Sequence, residues 1–161
     1  MTTIDDLLAA NAGYADARAR LETGRPDRGL AVVTCMDSRI DVLAAFGLRL
    51  GEALVIRNAG ARVTEDVVRS LALASHVLGV DTVVVVQHSR CGLLGADDAA
   101  LQELAGATFG FLPIHDHAET LRHDIDLLAG HTALSPIVVM AGLVYDVDNG
   151  SVEELVRWHR A

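Results

Sequence analysis

The chain has 161 residues, 51% of them hydrophobic and 22% charged, a composition that excludes a disordered polymer and fits one domain. Thirteen basic residues against 22 acidic ones give a net charge of −9, and every basic residue is Arg. Without lysine there is no P-loop, Schiff base or lysine general base, and without a basic cluster no nucleic-acid or anionic-membrane surface is expected.

Thr3 stands three residues before Asp6, the spacing of a capping box, and predicts a first helix running to about Glu22. The β-branched runs Leu30–Val33 and Ala53–Ile56 predict two strands. Thr64 then reads as the N-cap of a second long helix. Glu65 and Asp66 favour its positive end, Val67, Val68, Leu71, Ala74 and Leu78 form one face, and Gly79 stops it. A third strand is expected at Thr82–Val86, followed by helices over about Asp97–Ala105 and Asp116–Ala129, the latter with Leu121, Ile125 and Leu128 at helical spacing. Ile137–Leu143 predicts a fourth strand, and Asp148-Asn149-Gly150 a turn into a short terminal strand. The four runs are continuously apolar, as strands buried on both faces of a parallel sheet are. The expected fold is therefore α/β: a single domain, 1–161, with a central, mostly parallel four-stranded sheet flanked by helices and a short extra strand near the C-terminus. No apolar run has the length of a membrane span, and the acidic N-terminus lacks the basic and apolar regions of a secretory signal, so a cytoplasmic location is expected.

Parallel strands end on one side of a sheet, where ligands bind. The first three are followed by Thr34-Cys35-Met36-Asp37-Ser38-Arg39, Arg57-Asn58-Ala59-Gly60 and Gln87-His88-Ser89-Arg90-Cys91-Gly92. Cys35, His88 and Cys91 make a tetrahedral metal set suited to zinc, with a fourth position left for water or substrate. The competing readings are two buried apolar cysteines beside a strand-end histidine, and a Cys35–Cys91 disulfide, which a reducing compartment disfavours. Cys35 as a nucleophile would lack both a phosphate-cradling loop and a C-x-x-C partner. Asp37 and Arg39 form either a surface ion pair or, beside a metal ligand, a carboxylate held ionised to accept a proton. His115, Asp116, His117, His123 and His131 fit a solvated helix edge better than a second metal site, and His76 and His159 read as structural or exposed. Gly60 and Gly92 are expected where the backbone needs positive φ or close approach.

Cys35-Met36-Asp37-Ser38-Arg39 with His88-x-x-Cys91-Gly92 resembles the signature of the β-class carbonic anhydrases. Arg57-Asn58-Ala59-Gly60, Thr64-Glu65-Asp66 and Arg69-Ser70-Leu71 resemble the loop and helix between those motifs, and Leu143–Gly150 resembles the last strand and turn. The likeness runs from about residue 30 to about 152, and the length resembles the short bacterial and archaeal members. It implies one Zn2+ per chain on Cys35, His88 and Cys91, with Asp37 and Arg39 as the catalytic dyad. Gly60 and Gly92 would face substrate, the Gly92 N–H as a donor to a substrate oxygen. It implies reversible hydration of carbon dioxide to bicarbonate by zinc-bound hydroxide. The alternatives are hydrolysis of carbonyl sulfide or carbon disulfide on the same fold, or a zinc-binding protein without turnover. It further implies a small neutral substrate and a homodimer or tetramer, with residues 1–24 packing on the partner. In the family the matching aspartate also swings onto zinc in a closed form. Two departures lie near the expected pocket. Ser89-Arg90 replaces the usual Thr and acidic residue, with Arg90 expected either at the pocket mouth or in solvent. Gly60-Ala61 replaces a pair of glycines.

Overall fold

The computed structural model describes residues 3–18 and 20–160. In chain order the elements are α1 (Ile4–Ala17), β1 (Leu30–Cys35), α2 (Val42–Ala45), β2 (Ala53–Asn58), α3 (Glu65–Val77), β3 (Thr82–His88), α4 (Asp98–Ala105), α5 (His117–Gly130), β4 (Val139–Tyr145) and β5 (Val152–His159). Single 3-10 turns follow β2 at Ala59–Ala61 and α5 at Thr132–Leu134.

The five strands form one sheet in the order β2-β1-β3-β4-β5. The first four run parallel, with Val33 opposite both Ile56 and Val85, and Val85 opposite Gly142. β5 returns antiparallel along β4, and at eight residues it is longer than the short strand expected from the sequence. β1 and β3 lie inside the sheet, and Ala31, Val32, Val33, Val83, Val85 and Val86 are fully buried, as their unbroken apolar runs require. β2 departs from that expectation. It is an edge strand whose side chains alternate between partial burial and exposure, with Val55 and Arg57 outside.

The helix signals convert as capping chemistry dictates. Thr3 and Asp6 make the reciprocal capping box, Thr64 accepts from the Val67 N–H, and Asp97 and Asp116 cap α4 and α5. α1 stops at Ala17 rather than near Glu22, where Arg18 turns extended (φ −73°, ψ 127°). No residue of α1 is buried, so only intrinsic propensity extends it, and propensity alone sustains short helices poorly. β4 begins at Val139 rather than Ile137, because the Ile137 N–H closes a turn onto the Leu134 carbonyl. α2 is absent from the sequence expectation. It is one turn long, held by Asp41 accepting from the Ala44 N–H at 3.2 Å.

α5 buries Leu121, Ile125 and Leu128 against β3, β4 and β5. It comes so close at Gly142 that an added Cβ would lie 2.9 Å from Leu121 Cβ, and the neighbouring β5 closes the space further, with Val156 Cγ1 at 2.5 Å. The same helix carries Asp124, fully buried, whose carboxylate takes a two-pronged bond from Arg62 Nε (2.9 Å) and Nη2 (3.1 Å). Arg62 also donates to the carbonyls of Leu112 and Pro113, so one buried guanidinium ties the segment after β2 to α5 and to the loop before it. Breaking a buried pair from one side leaves an uncompensated charge. Asp124→Ala is expected to lose about 3–5 kcal/mol of unfolding free energy, measured by equilibrium urea denaturation.

Candidate metal centre

β1 and β3 are neighbours, yet the chain leaves β1 to build β2 on one side and returns to build β3 on the other. Their carboxyl ends therefore bound a switch point of the sheet, where a crevice opens. Cys35 ends β1 and His88 ends β3, while Cys91 follows in the turn after His88. All three are buried, and their Sγ and imidazole nitrogen atoms lie within 4.8 Å of one another. Both cysteines are free. Among the described residues this is the one cluster of three or more potential ligands, so the His115–His131 region assembles no second one.

Local bonds fix the imidazole. His88 Nδ1 lies 2.9 Å from the Ser89 carbonyl, which only accepts, so Nδ1 carries the proton and Nε2 presents its lone pair to the sulfurs. That Nε2 is buried and has no hydrogen-bond partner. A buried unpaired acceptor beside two thiols is the donor set of a soft, tetrahedral cation, and the residues present fit zinc. The sulfurs also compete for one proton. The Cys91 thiol beside it, against the cost of burial and with help from His88, lowers Cys35 to about 4, and the same bond pushes Cys91 up. Burial works against charge on His88, but the Cys35 sulfur, the Ser89 carbonyl and Asp37 outweigh it and raise its pKa.

The loop from β1 supplies the charged pair. Arg39 Nε and Nη2 donate to Asp37 Oδ1 and Oδ2 at 2.9 and 2.7 Å, and the Arg39 N–H adds a third bond at 3.0 Å. The Arg39 side chain and backbone thereby hold the Asp37 carboxyl well below the usual carboxylate range. Its Oδ2 stands 3.8 Å from His88 Nε2, so the ionised oxygen faces the cluster while Arg39 keeps it from closing in. Arg57 holds this loop from the neighbouring edge strand. It donates to the carbonyls of Cys35 (3.0 Å), Ile40 (3.2 Å) and Asp37 (2.6 Å).

The turn from β3 is held from the other side. Ser89 Oγ donates to Asp146 Oδ1 (3.2 Å) and accepts from the Val147 N–H (3.0 Å), which couples the His88–Cys91 turn to the β4–β5 hairpin. Of the two expected places Arg90 takes the solvent side, not the pocket mouth: its exposed guanidinium pairs there with Asp148 on that hairpin. Its backbone is left-handed (φ +53°), and its carbonyl accepts from Arg39 Nη2 at 3.1 Å. Gly60 has the expected positive φ (+72°), and a Cβ there would meet Leu93 Cδ1 at 2.9 Å. Gly92 differs: no left-handed φ is needed, and a Cβ would meet open space. Ala61, in the place of a second glycine, is fully buried and left-handed (φ +55°). His115, His123 and His131 are exposed. His117 is not on a solvated edge: it is half-buried, with Nδ1 2.8 Å from Gln87 Oε1, and burial lowers its pKa.

A cavity of about 370 Å³ opens onto the cluster, lined by Cys35, Asp37, Gly60, Cys91 and Gly92 together with the apolar side chains of Met36, Leu93, Leu101 and Phe111. The sequence reading did not find Leu101 and Phe111, which come from the excursion between Cys91 and α5. Nor did it give Arg57 or Ser89 a role. The position of Arg57 at a strand end was a signal, but its carbonyl partners exist only in the folded chain.

An α/β sheet with a Cys-His-Cys cluster at its switch point and an Asp–Arg pair beside it defines a class of metal-site proteins. A carbonic anhydrase family model matches residues 30–124. β-carbonic anhydrase 1 of Mycobacterium tuberculosis is 35% identical over 96% of this chain and 99% of its own. A carbon disulfide hydrolase of Acidithiobacillus thiooxidans is 30% identical over 92% of this chain and 84% of its own. The crystal structure of a carbonic anhydrase from Streptococcus mutans superposes with a TM-score of 0.87 at 38% identity, covering 97% of this chain and 99% of that one. The chain belongs to the β-carbonic anhydrase family.

Outer contacts that orient metal ligands typically carry 10–100-fold in affinity. Arg57→Ala removes three donors from the loop bearing Cys35 and Asp37. It is expected to weaken zinc retention by about 10–100-fold, read by competition with a chromophoric chelator.

Proposed function

We propose that this chain is a zinc-dependent carbonic anhydrase that hydrates carbon dioxide reversibly to bicarbonate. Cys35, His88 and Cys91 hold one zinc per chain. The observation that carries this reading is the buried, partnerless Nε2 of His88 between two thiols, with the ionised Asp37 oxygen 3.8 Å away. Zinc there supplies Lewis acidity and water activated near neutral pH.

The remaining work falls to this chain's side chains and backbone. Asp37, held ionised by Arg39, accepts a hydrogen bond from the attacking oxygen and orients its lone pair toward substrate. Arg39 keeps that carboxylate in place through its fork and is itself steadied by the Arg90 carbonyl. The Gly92 N–H is the donor for charge that develops on a substrate oxygen, and Gly60, where a side chain would strike Leu93, lines the same cavity. The apolar side of the cavity receives a neutral linear molecule without offering it a competing hydrogen bond.

Hydrolysis of carbonyl sulfide or carbon disulfide is the second reading. It is favoured by that apolar wall and by the carbon disulfide hydrolases among the relatives. Self-association belongs to the proposal as well. Ile4, Leu7, Leu8 and Tyr14 on α1 are all more than half exposed, which supports residues 1–24 packing on a second copy in a dimer or tetramer. Two thiols that must stay reduced to bind metal support a cytoplasmic location.

Metal analysis is expected to give one zinc per chain, with strong loss in Cys35→Ser, His88→Ala and Cys91→Ser; full zinc in all three rejects the ligand set. Asp37→Ala and Arg39→Ala are expected to keep most of the zinc while lowering kcat by roughly 10²–10⁴-fold, the range for a positioned proton acceptor. Wild-type turnover in either would reduce the pair to a surface ion pair. Kinetics on one zinc-loaded sample are expected to rank kcat/KM as carbon dioxide, then carbonyl sulfide, then carbon disulfide. A larger value for carbonyl sulfide selects the second reading.

A further inference from the structure

The excursion Ala96–Pro113 leaves the domain between Cys91 and α5 and returns at its own base. The Gly95 N–H donates to the Ile114 carbonyl at 2.8 Å, and the Ile114 N–H to the Leu93 carbonyl at 2.9 Å. Its far end is gripped by Arg62 at the Leu112 and Pro113 carbonyls. Between these anchors α4 buries no residue, and Leu104 and Phe109 are largely exposed. Two apolar side chains of this excursion nevertheless turn inward: Leu101 and Phe111 line the cavity that opens onto the Cys35–His88–Cys91 cluster.

Phe111 is fastened there by a dedicated bond. Its N–H donates to Asp98 Oδ1 at 2.6 Å, while Gln102 Nε2 donates to Asp98 Oδ2 at 2.8 Å and fixes the carboxylate. The ring lies 5.3 Å from that of Phe109 and tilts 51° to it. Phe111 packs against the rim of the main core and also faces the cavity, so a side chain held this way meets what the cavity receives.

We infer that Phe111, with Leu101 beside it, is a substrate-binding residue that draws the neutral triatomic substrate onto the cluster by apolar contact, and that Asp98 is the positioning residue that sets it. The inference rests on the function proposed above. Magnitude decides what the wall does. The cavity is about 370 Å³, whereas a triatomic molecule fills on the order of 50 Å³, judged against water's share of about 30 Å³. A cavity that much larger than its occupant does not sieve by size, so the wall acts by contact. What it supplies is apolar area removed from water, and that contribution grows with the apolar surface of the substrate. Contact made equally in ground and transition states lowers KM and leaves kcat alone.

Phe111→Ala is expected to keep its zinc and its kcat while raising KM for carbon dioxide by roughly three- to tenfold, with a larger rise for carbonyl sulfide. Phe111→Leu is expected to recover most of the loss. Asp98→Ala should reproduce the KM shift, and Asp98→Asn, which keeps the accepting oxygen, should restore it. A readout independent of turnover is xenon, an apolar probe: pressurised wild-type crystals are expected to show it against Phe111 and Leu101, and Phe111→Ala crystals to lose it. Unchanged KM in Phe111→Ala, a fall in kcat alone, or wild-type crystals without xenon at that wall each overturn the inference. Xenon bound as expected in a zinc-loaded protein that turns over none of the three substrates rejects the proposed function and leaves the apolar binding wall standing.

Discussion

The site depends on one short hydrogen bond, from His88 Nδ1 to the Ser89 carbonyl. It spends one nitrogen of a fully buried imidazole on the backbone and leaves the other with a lone pair and nothing to receive it. Such a nitrogen is costly unless a cation takes it, so the surroundings are built to make that cation welcome. Sulfur comes from β1 and from the turn after β3. Asp146 and Val147 hold Ser89 in turn, so the tautomer of one histidine is set by a hairpin at the far end of the chain.

Arginine does most of the remaining positioning, in a chain that has no lysine to share the task. Arg39 clasps Asp37, Arg57 gathers three carbonyls of the loop after β1, and Arg62 joins Asp124 to the Leu112 and Pro113 carbonyls. Each is a planar fork reading several acceptors at once, a geometry an ammonium does not reproduce. Arg57 fixes backbone alone, while Arg39 and Arg62 each pair a carboxylate and hold backbone carbonyls as well. The acidic surplus elsewhere on the chain is therefore compatible with so ordered a cationic framework around one crevice.

Much of this was legible in the amino-acid order because the signals are local. Unbroken β-branched runs marked the buried strands, Thr3, Thr64, Asp97 and Asp116 marked helix starts, and the strand-end clusters carried every sulfur and carboxylate of the cluster and dyad. What escaped depends on partners distant in sequence. β2 looked like the other strands because its composition does not reveal that no strand among the described residues pairs with its outer edge. The shift of the β4 start came from a turn bond onto Leu134, and the end of α1 from the lack of any buried face. Gly92 seemed to need its freedom but sits in ordinary backbone, while Ala61 and Arg90 carry left-handed conformations that their residue types do not announce. Leu101 lay within an expected helix and Phe111 in no expected element, and only the folded excursion brings both to the crevice.

The placement of the cluster at the switch point also joins distant parts of the chain. His88 and Cys91 are one turn apart, but Cys35 is more than fifty positions upstream, on a strand that has β2 on one side and β3 on the other. Joining ends so far apart costs about 3.5 kcal/mol of chain entropy beyond the constant term, a debt that parallel pairing of β1 with β3 must meet first. An unfolded chain offers a cation only a two-point grip. A cation bound at this cluster would add its hold to two strands, β1 and β3, that the sequence keeps far apart and their own parallel pairing already joins.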